Sequence, residues 1–72
     1  MAAMSDLAKL QVLLPHWMEH NDEHAAEFQE WAEKARAAGQ EDMAGEISRA
    51  ARQLESVNEA LAAALEKLGQ SP

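Results

Sequence analysis

Residues 43–68 read MAGEISRAARQLESVNEALAAALEKL, and the spacing of the apolar side chains in this stretch decides the fold. Met43, Ile47, Ala50, Leu54, Val57, Leu61, Leu65 (with Ala64 beside it) and Leu68 recur at intervals of three and four. That is the period of one face of an α-helix, sustained over almost four heptads. Glu41 and Asp42 precede the stripe and suit the positive end of a helix dipole, while Gly69 follows it as a stop signal. The spacing predicts a long helix over about residues 41–68.

Upstream, Gly39 fits the position just past a helix end, and Lys34 and Arg36 suit the last turns before it. Trp17, Phe28, Trp31 and Ala35 share a second stripe, which also passes through Asn21 and His24, and a second long helix is expected over about residues 15–38. Two long helices joined at Gly39 lie antiparallel. Ser5 and Asp6 are N-cap residues for a short helix over about residues 5–14, carrying Leu7, Leu10, Leu13 and Leu14. Pro15 disfavours the α conformation at Leu14 and is expected to end that helix. Val12, Ile47 and Val57 are the only Val, Ile or Thr in the chain, too few for a sheet. The expected fold is therefore all-α: an antiparallel helical hairpin with a short N-terminal helix, in a single domain over residues 1–72 with a frayed tail at 69–72. Trp17 and Trp31 are expected to fill the core, Asn21 either to fix helix register or oligomer state or to turn toward a metal-bound water, and Gly45 either to permit close helix contact or to do nothing.

A chain of 72 residues buries only ~60% of the surface its unfolded form exposes. Cysteine is absent, so disulfides, thiolate metal sites and iron–sulfur clusters are excluded. A hairpin buries one stripe per helix, and self-association into a four-helix-type homodimer is the expected remedy. Thirteen Asp and Glu face six Lys and Arg, a net charge of -7. That balance argues against nucleic acid and anionic membranes, while cations and protein partners stay open. The longest uninterrupted apolar run, residues 12–14, is far too short for a bilayer, and a cytoplasmic location is expected.

The chemistry is concentrated after Pro15. From His16 the chain reads HWME, HNDE, HAAE: a unit of His-x-x-Glu stated three times, holding all three histidines, His16, His20 and His24. Residues four apart lie ~6 Å from one another on a helix surface. Two imidazoles at that spacing can share one ion with bonds of ~2.0–2.1 Å. Glu23 and Glu27 flank the row as oxygen ligands or as partners for a ring N–H. The expected core pair is His20 and His24, with His16 or a glutamate completing the shell. Between residues 10 and 33 there are six acids and no Lys or Arg, a field that draws cations toward the histidines.

Other motifs fare worse. His-x-x-Glu-His matches the zinc motif of inverted zincin proteases, but these need a further carboxylate and a cleft that a short helical chain is not expected to supply. Di-iron bundles use Glu-x-x-His, the reverse order. No Cys exists, the serines are isolated from any histidine and no Gly-rich phosphate loop occurs, so an enzyme is not expected. Residues 13–25 (LLPHWMEHNDEHA), followed by Phe28, Trp31 and Ala32, resemble small uncharacterised prokaryotic helical domains with an HW-x-EHN-x-EH core. The resemblance implies a short helical module and no particular activity.

The functional expectation is a small accessory, carrier or sensor protein binding a divalent transition metal, Ni, Zn, Co or Cu, through His16, His20, His24, Glu23 and Glu27. The alternative is a non-catalytic helical interaction module with incidental surface histidines, partnered through an apolar helix face. Haem held between the histidines of two chains is a further option.

Overall fold

Ser5 opens the first helix as the sequence leads one to expect. Its backbone is extended (φ -66°, ψ 160°) and its Oγ accepts the Ala8 N–H at 3.1 Å, satisfying one of the amides a helix start leaves open. The computed structural model describes residues 5–69 as two helices, α1 Asp6–Ala37 and α2 Glu41–Gly69. The turn between them is a complete Schellman motif. Gly39, at φ 83°, donates to the Arg36 carbonyl at 3.0 Å and Gln40 donates to the Ala35 carbonyl at 2.9 Å. Arg36 then reaches across the turn, its Nε 3.5 Å from a Glu41 carboxylate oxygen. The hairpin that results is a ribbon, 58 × 23 × 11 Å.

Pro15 does not end a helix: the expected short helix over 5–14 and the long one over 15–38 are one continuous α1, with Pro15 inside it. Proline in a helix interior costs ~3 kcal/mol, because it removes one N–H and crowds the preceding turn. Packing outweighs that local preference here. Leu14, at 5% exposure, is held against α2, and Leu10 and Met18 on either side are half-buried. The carbonyl deprived of a donor belongs to Gln11, an exposed residue. Gly69 is the last residue of α2 rather than the start of a tail, and residues 70–72 of the expected tail lie outside the described residues.

The seam between the helices also differs from the expected stripes. In α1 it is formed by Leu14, Met18, Asn21, Ala25, Phe28, Ala32 and Ala35, and in α2 by Ala44, Ile47, Ala51, Leu54, Asn58, Leu61, Leu65 and Leu68, all buried or half-buried. Both sets alternate in steps of three and four, a coiled-coil seam. Met43 and Val57, assigned to the seam by spacing alone, are exposed, and so are Trp17 and Trp31, expected in the core. Three seam positions in each helix (18, 25 and 32; 44, 51 and 58) are one residue later than the most apolar stripe. The reason is size: alanines at 32, 44 and 51 are buried in the contact, where small side chains let the backbones approach. The bulky neighbours are turned outward. Gly45 is not a close-contact glycine, since a Cβ there meets nothing within 4 Å.

Candidate metal centre

Three histidines at i, i+4 and i+8 share the long outer surface of α1, and each is exposed. Their rings do not form one row. His16 and His20 lie together, ring centroids 4.4 Å apart and planes inclined at 69°. His24 instead lies over Phe28, centroids 6.2 Å apart and planes within 29° of parallel. Phe28 is a seam residue, so His24 is drawn toward the apolar side of the ribbon while His16 and His20 point away from α2.

The carboxylates divide similarly. Glu23 follows His20 by three residues on the outer surface. Glu27 lies beside Phe28 and Trp31 at the rim of a shallow apolar groove. Among the described residues no group of three or more His, Asp or Glu side chains is placed to hold one ion. Of the set expected from spacing (His16, His20, His24, Glu23 and Glu27), the rings of His16 and His20 lie together, while that of His24 lies over Phe28. Two imidazoles bound to one ion have ring centroids ~4.5–5 Å apart, given metal–nitrogen bonds of ~2.0–2.1 Å. The observed 4.4 Å spacing is close to that arrangement.

The electrostatic setting is as the sequence implies. The ion pairs of α1 gather at its C-terminal end, Lys34 Nζ with Glu30 at 3.4 Å and Arg36 with Glu33 at 2.9 Å, while the histidine turns carry only acids as charged neighbours along the helix. These exposed pairs contribute little to stability. They engage Glu30 and Glu33, the last two acids of the anionic stretch, and leave the first four to the histidine turns.

A second polar feature was half legible. Asn21 is on the seam, as expected, and its Nδ2 donates to Asn58 Oδ1 at 2.9 Å. Asn58 Nδ2 in turn donates to the Met18 carbonyl at 2.9 Å and to Asp22 Oδ1 at 2.8 Å. Asn58 escaped the sequence reading because the apolar stripe runs through its neighbour Val57. The facing Asn at 21 was the signal that pointed to a mate.

The ribbon has two unlike broad faces. On one, polar side chains bridge the helices: Asp22 to Asn58, the Ser48 hydroxyl donating to Gln29 Oε1 at 3.2 Å, and Arg36 to Glu41. On the other, Trp31 (55% exposed), Met43 (54%), Val57 (45%) and Trp17 (42%) stand in the open. Among the described residues no helix is long and apolar enough to cross a membrane.

These features define a class: a two-helix antiparallel hairpin with a histidine pair on its outer surface and one apolar side. The chain belongs to the family described as Domain of unknown function (DUF8180), whose profile matches residues 10–68, nearly all of both helices. No curated protein and no solved structure matches the chain.

Proposed function

We propose that this hairpin binds a divalent transition metal (Ni, Zn, Co or Cu) through the imidazoles of His16 and His20, in a non-catalytic carrier, accessory or sensor role in the cytoplasm. The observation that carries this reading is the 4.4 Å approach of two exposed imidazoles on adjacent helical turns, within a stretch that has six acids and no base. Each chain then offers two nitrogens. Glu23, water or a group from another molecule completes the shell, and the Irving–Williams order leaves the choice of metal to availability. Both imidazoles must be neutral to ligate, so binding weakens on acidification.

Titration calorimetry with Ni and Zn on tag-free protein tests the proposal. Binding is expected in the native chain and in His24→Ala, and is expected to vanish in the His16→Ala, His20→Ala double variant. Equal loss in His24→Ala, or no heat in the native chain, rejects the pair.

A second reading, an interaction module whose surface histidines are incidental, is favoured by one observation: the bulky apolar side chains on one side of the ribbon. A homodimer or another protein would cover them.

A further inference from the structure

The apolar stripe of each helix and its seam against the other helix point in different directions, and the difference has the same sense in both. In α1 the apolar stripe, Trp17, Asn21, His24, Phe28 and Trp31, shares Asn21 and Phe28 with the seam but has Trp17, His24 and Trp31 where the seam has Met18, Ala25 and Ala32. In α2 the stripe has Met43, Ala50 and Val57 where the seam has Ala44, Ala51 and Asn58. Three of six stripe positions in α1 (Ala35 included) and three of eight in α2 lie one residue early, so the stripe centres are turned from the direction of the other helix by ~50° and ~40°, at ~100° per residue.

In an antiparallel pair, turns of the same sense bring both stripes to one side. The groove confirms it, being lined by Phe28 and Trp31 of α1 together with Ile47 and Ala50 of α2. A helix that needs only its hairpin mate aims its apolar stripe at that mate. A helix in a square four-helix bundle aims it at the bundle axis, ~45° away, between its two neighbours. The observed turn is the second case, twice over.

We propose that the missing pair of helices is a second copy of this chain, the two hairpins packing through the side that carries Trp17, Trp31, Met43 and Val57. This deepens the interaction-module reading and identifies its occupant. The area suffices: each broad face of the 58 × 23 Å ribbon outlines roughly 1,300 Å², against ~800 Å² per partner in an ordinary stable interface. The need is present too, since among the described residues only Leu14 and the alanines at 32, 44 and 51 are buried. The other eleven residues of the seam are only half-buried, a thin core for a lone domain of this length.

Symmetry orients the pair. Trp17 and Trp31 lie seven residues either side of His24. A two-fold axis crossing the ribbon at the level of His24 sets each Trp17 at the level of the other copy's groove, a space of about 320 Å³. The two turns at Gly39 then lie at opposite ends of the bundle. A two-fold along the length of the ribbon would instead set Trp31 level with Trp31 and Glu27 level with Glu27, leaving each Trp17 away from the other copy's groove. Of the α1 residues, the two-fold at His24 brings only His24 level with itself.

Sedimentation equilibrium in EDTA, which keeps metal out of the result, is the primary test. The native chain is expected at twice 7.9 kDa. Trp31→Glu is expected at the single-chain mass, and Gln29→Glu, on the opposite, polar face, at the dimer mass. A native mass of 7.9 kDa at 100-micromolar-scale concentration overturns the second copy. A dimeric Trp31→Glu, or a dissociated Gln29→Glu, overturns the assigned face. A spin label on Gln40→Cys reads the orientation without disturbing the face: ~45 Å between labels is expected from 1.5 Å of rise per residue on either side of the axis. A separation near the width of the bundle overturns the two-fold at His24.

Discussion

Asn58 ties α2 to α1 through three hydrogen bonds. Both of its Nδ2 hydrogens and its Oδ1 are engaged, by the Met18 carbonyl, Asp22 and Asn21. Truncation leaves the part-buried Asn21 amide without its mate, the expensive way to lose a hydrogen bond. Asn58→Ala is therefore expected to lower the unfolding free energy by ~1–3 kcal/mol, read from urea melts followed by helical circular dichroism. A melt unchanged within error would show that water replaces the network at no cost. The histidines teach the complementary lesson. Spacing alone makes His16–His20 and His20–His24 equivalent, each four residues apart. The tie is broken by Phe28, four residues beyond His24, which offers that imidazole an aromatic face. The expected core pair is His20 and His24, whereas the rings that lie together are His16 and His20, because the choice rests with Phe28, a neighbour outside the His-x-x-Glu pattern.

At the scale of the helices, three positions separate local preference from packing. Gly45 lies inside α2 with open space where a Cβ would project, so Gly45→Ala is expected to stabilise by ~1 kcal/mol through backbone entropy. Gly39 is the opposite case: its φ of 83° disfavours any side chain, and Gly39→Ala is expected to destabilise by ~1 kcal/mol. Thermal melts of the two variants should move in opposite directions, and a shared direction would contradict the turn geometry. Pro15 shows where sequence reading stops. Its local cost is real, and from the chain alone it ends a helix. Leu14 packed against α2 is a tertiary fact that no window around Pro15 contains. The hairpin, its caps at Ser5 and its turn at Gly39 were legible because they rest on residue type and spacing. The rotation of each helix was not. Hydrophobic spacing reports where apolar side chains point, which in this hairpin is not where the other helix is. Alanines at 32, 44 and 51 carry the contact instead, since a close approach needs small side chains more than hydrophobic ones.

For the whole molecule, the same rotation couples stability to concentration. If folding is completed by a second copy, the equilibrium runs between a folded dimer and two unfolded chains, and mass action enters the unfolding free energy. Each tenfold dilution should remove about 1.4 kcal/mol per dimer, lowering the melting temperature, whereas a self-sufficient hairpin melts at one temperature at every concentration. Tryptophan emission supplies an independent record, because Trp17 and Trp31 pass from a covered face to water as the dimer dissociates. Salt gives a further sign. Two chains of net charge -7 repel as they approach, so screening should tighten the dimer at moderate ionic strength. An interface held by charge complementarity would loosen instead. Calorimetric melts over a hundredfold range of chain concentration, at low and moderate salt, thus ask whether the ribbon is a finished domain. A melting temperature that ignores both variables would mean that its apolar side stands uncovered in the stable state of the chain.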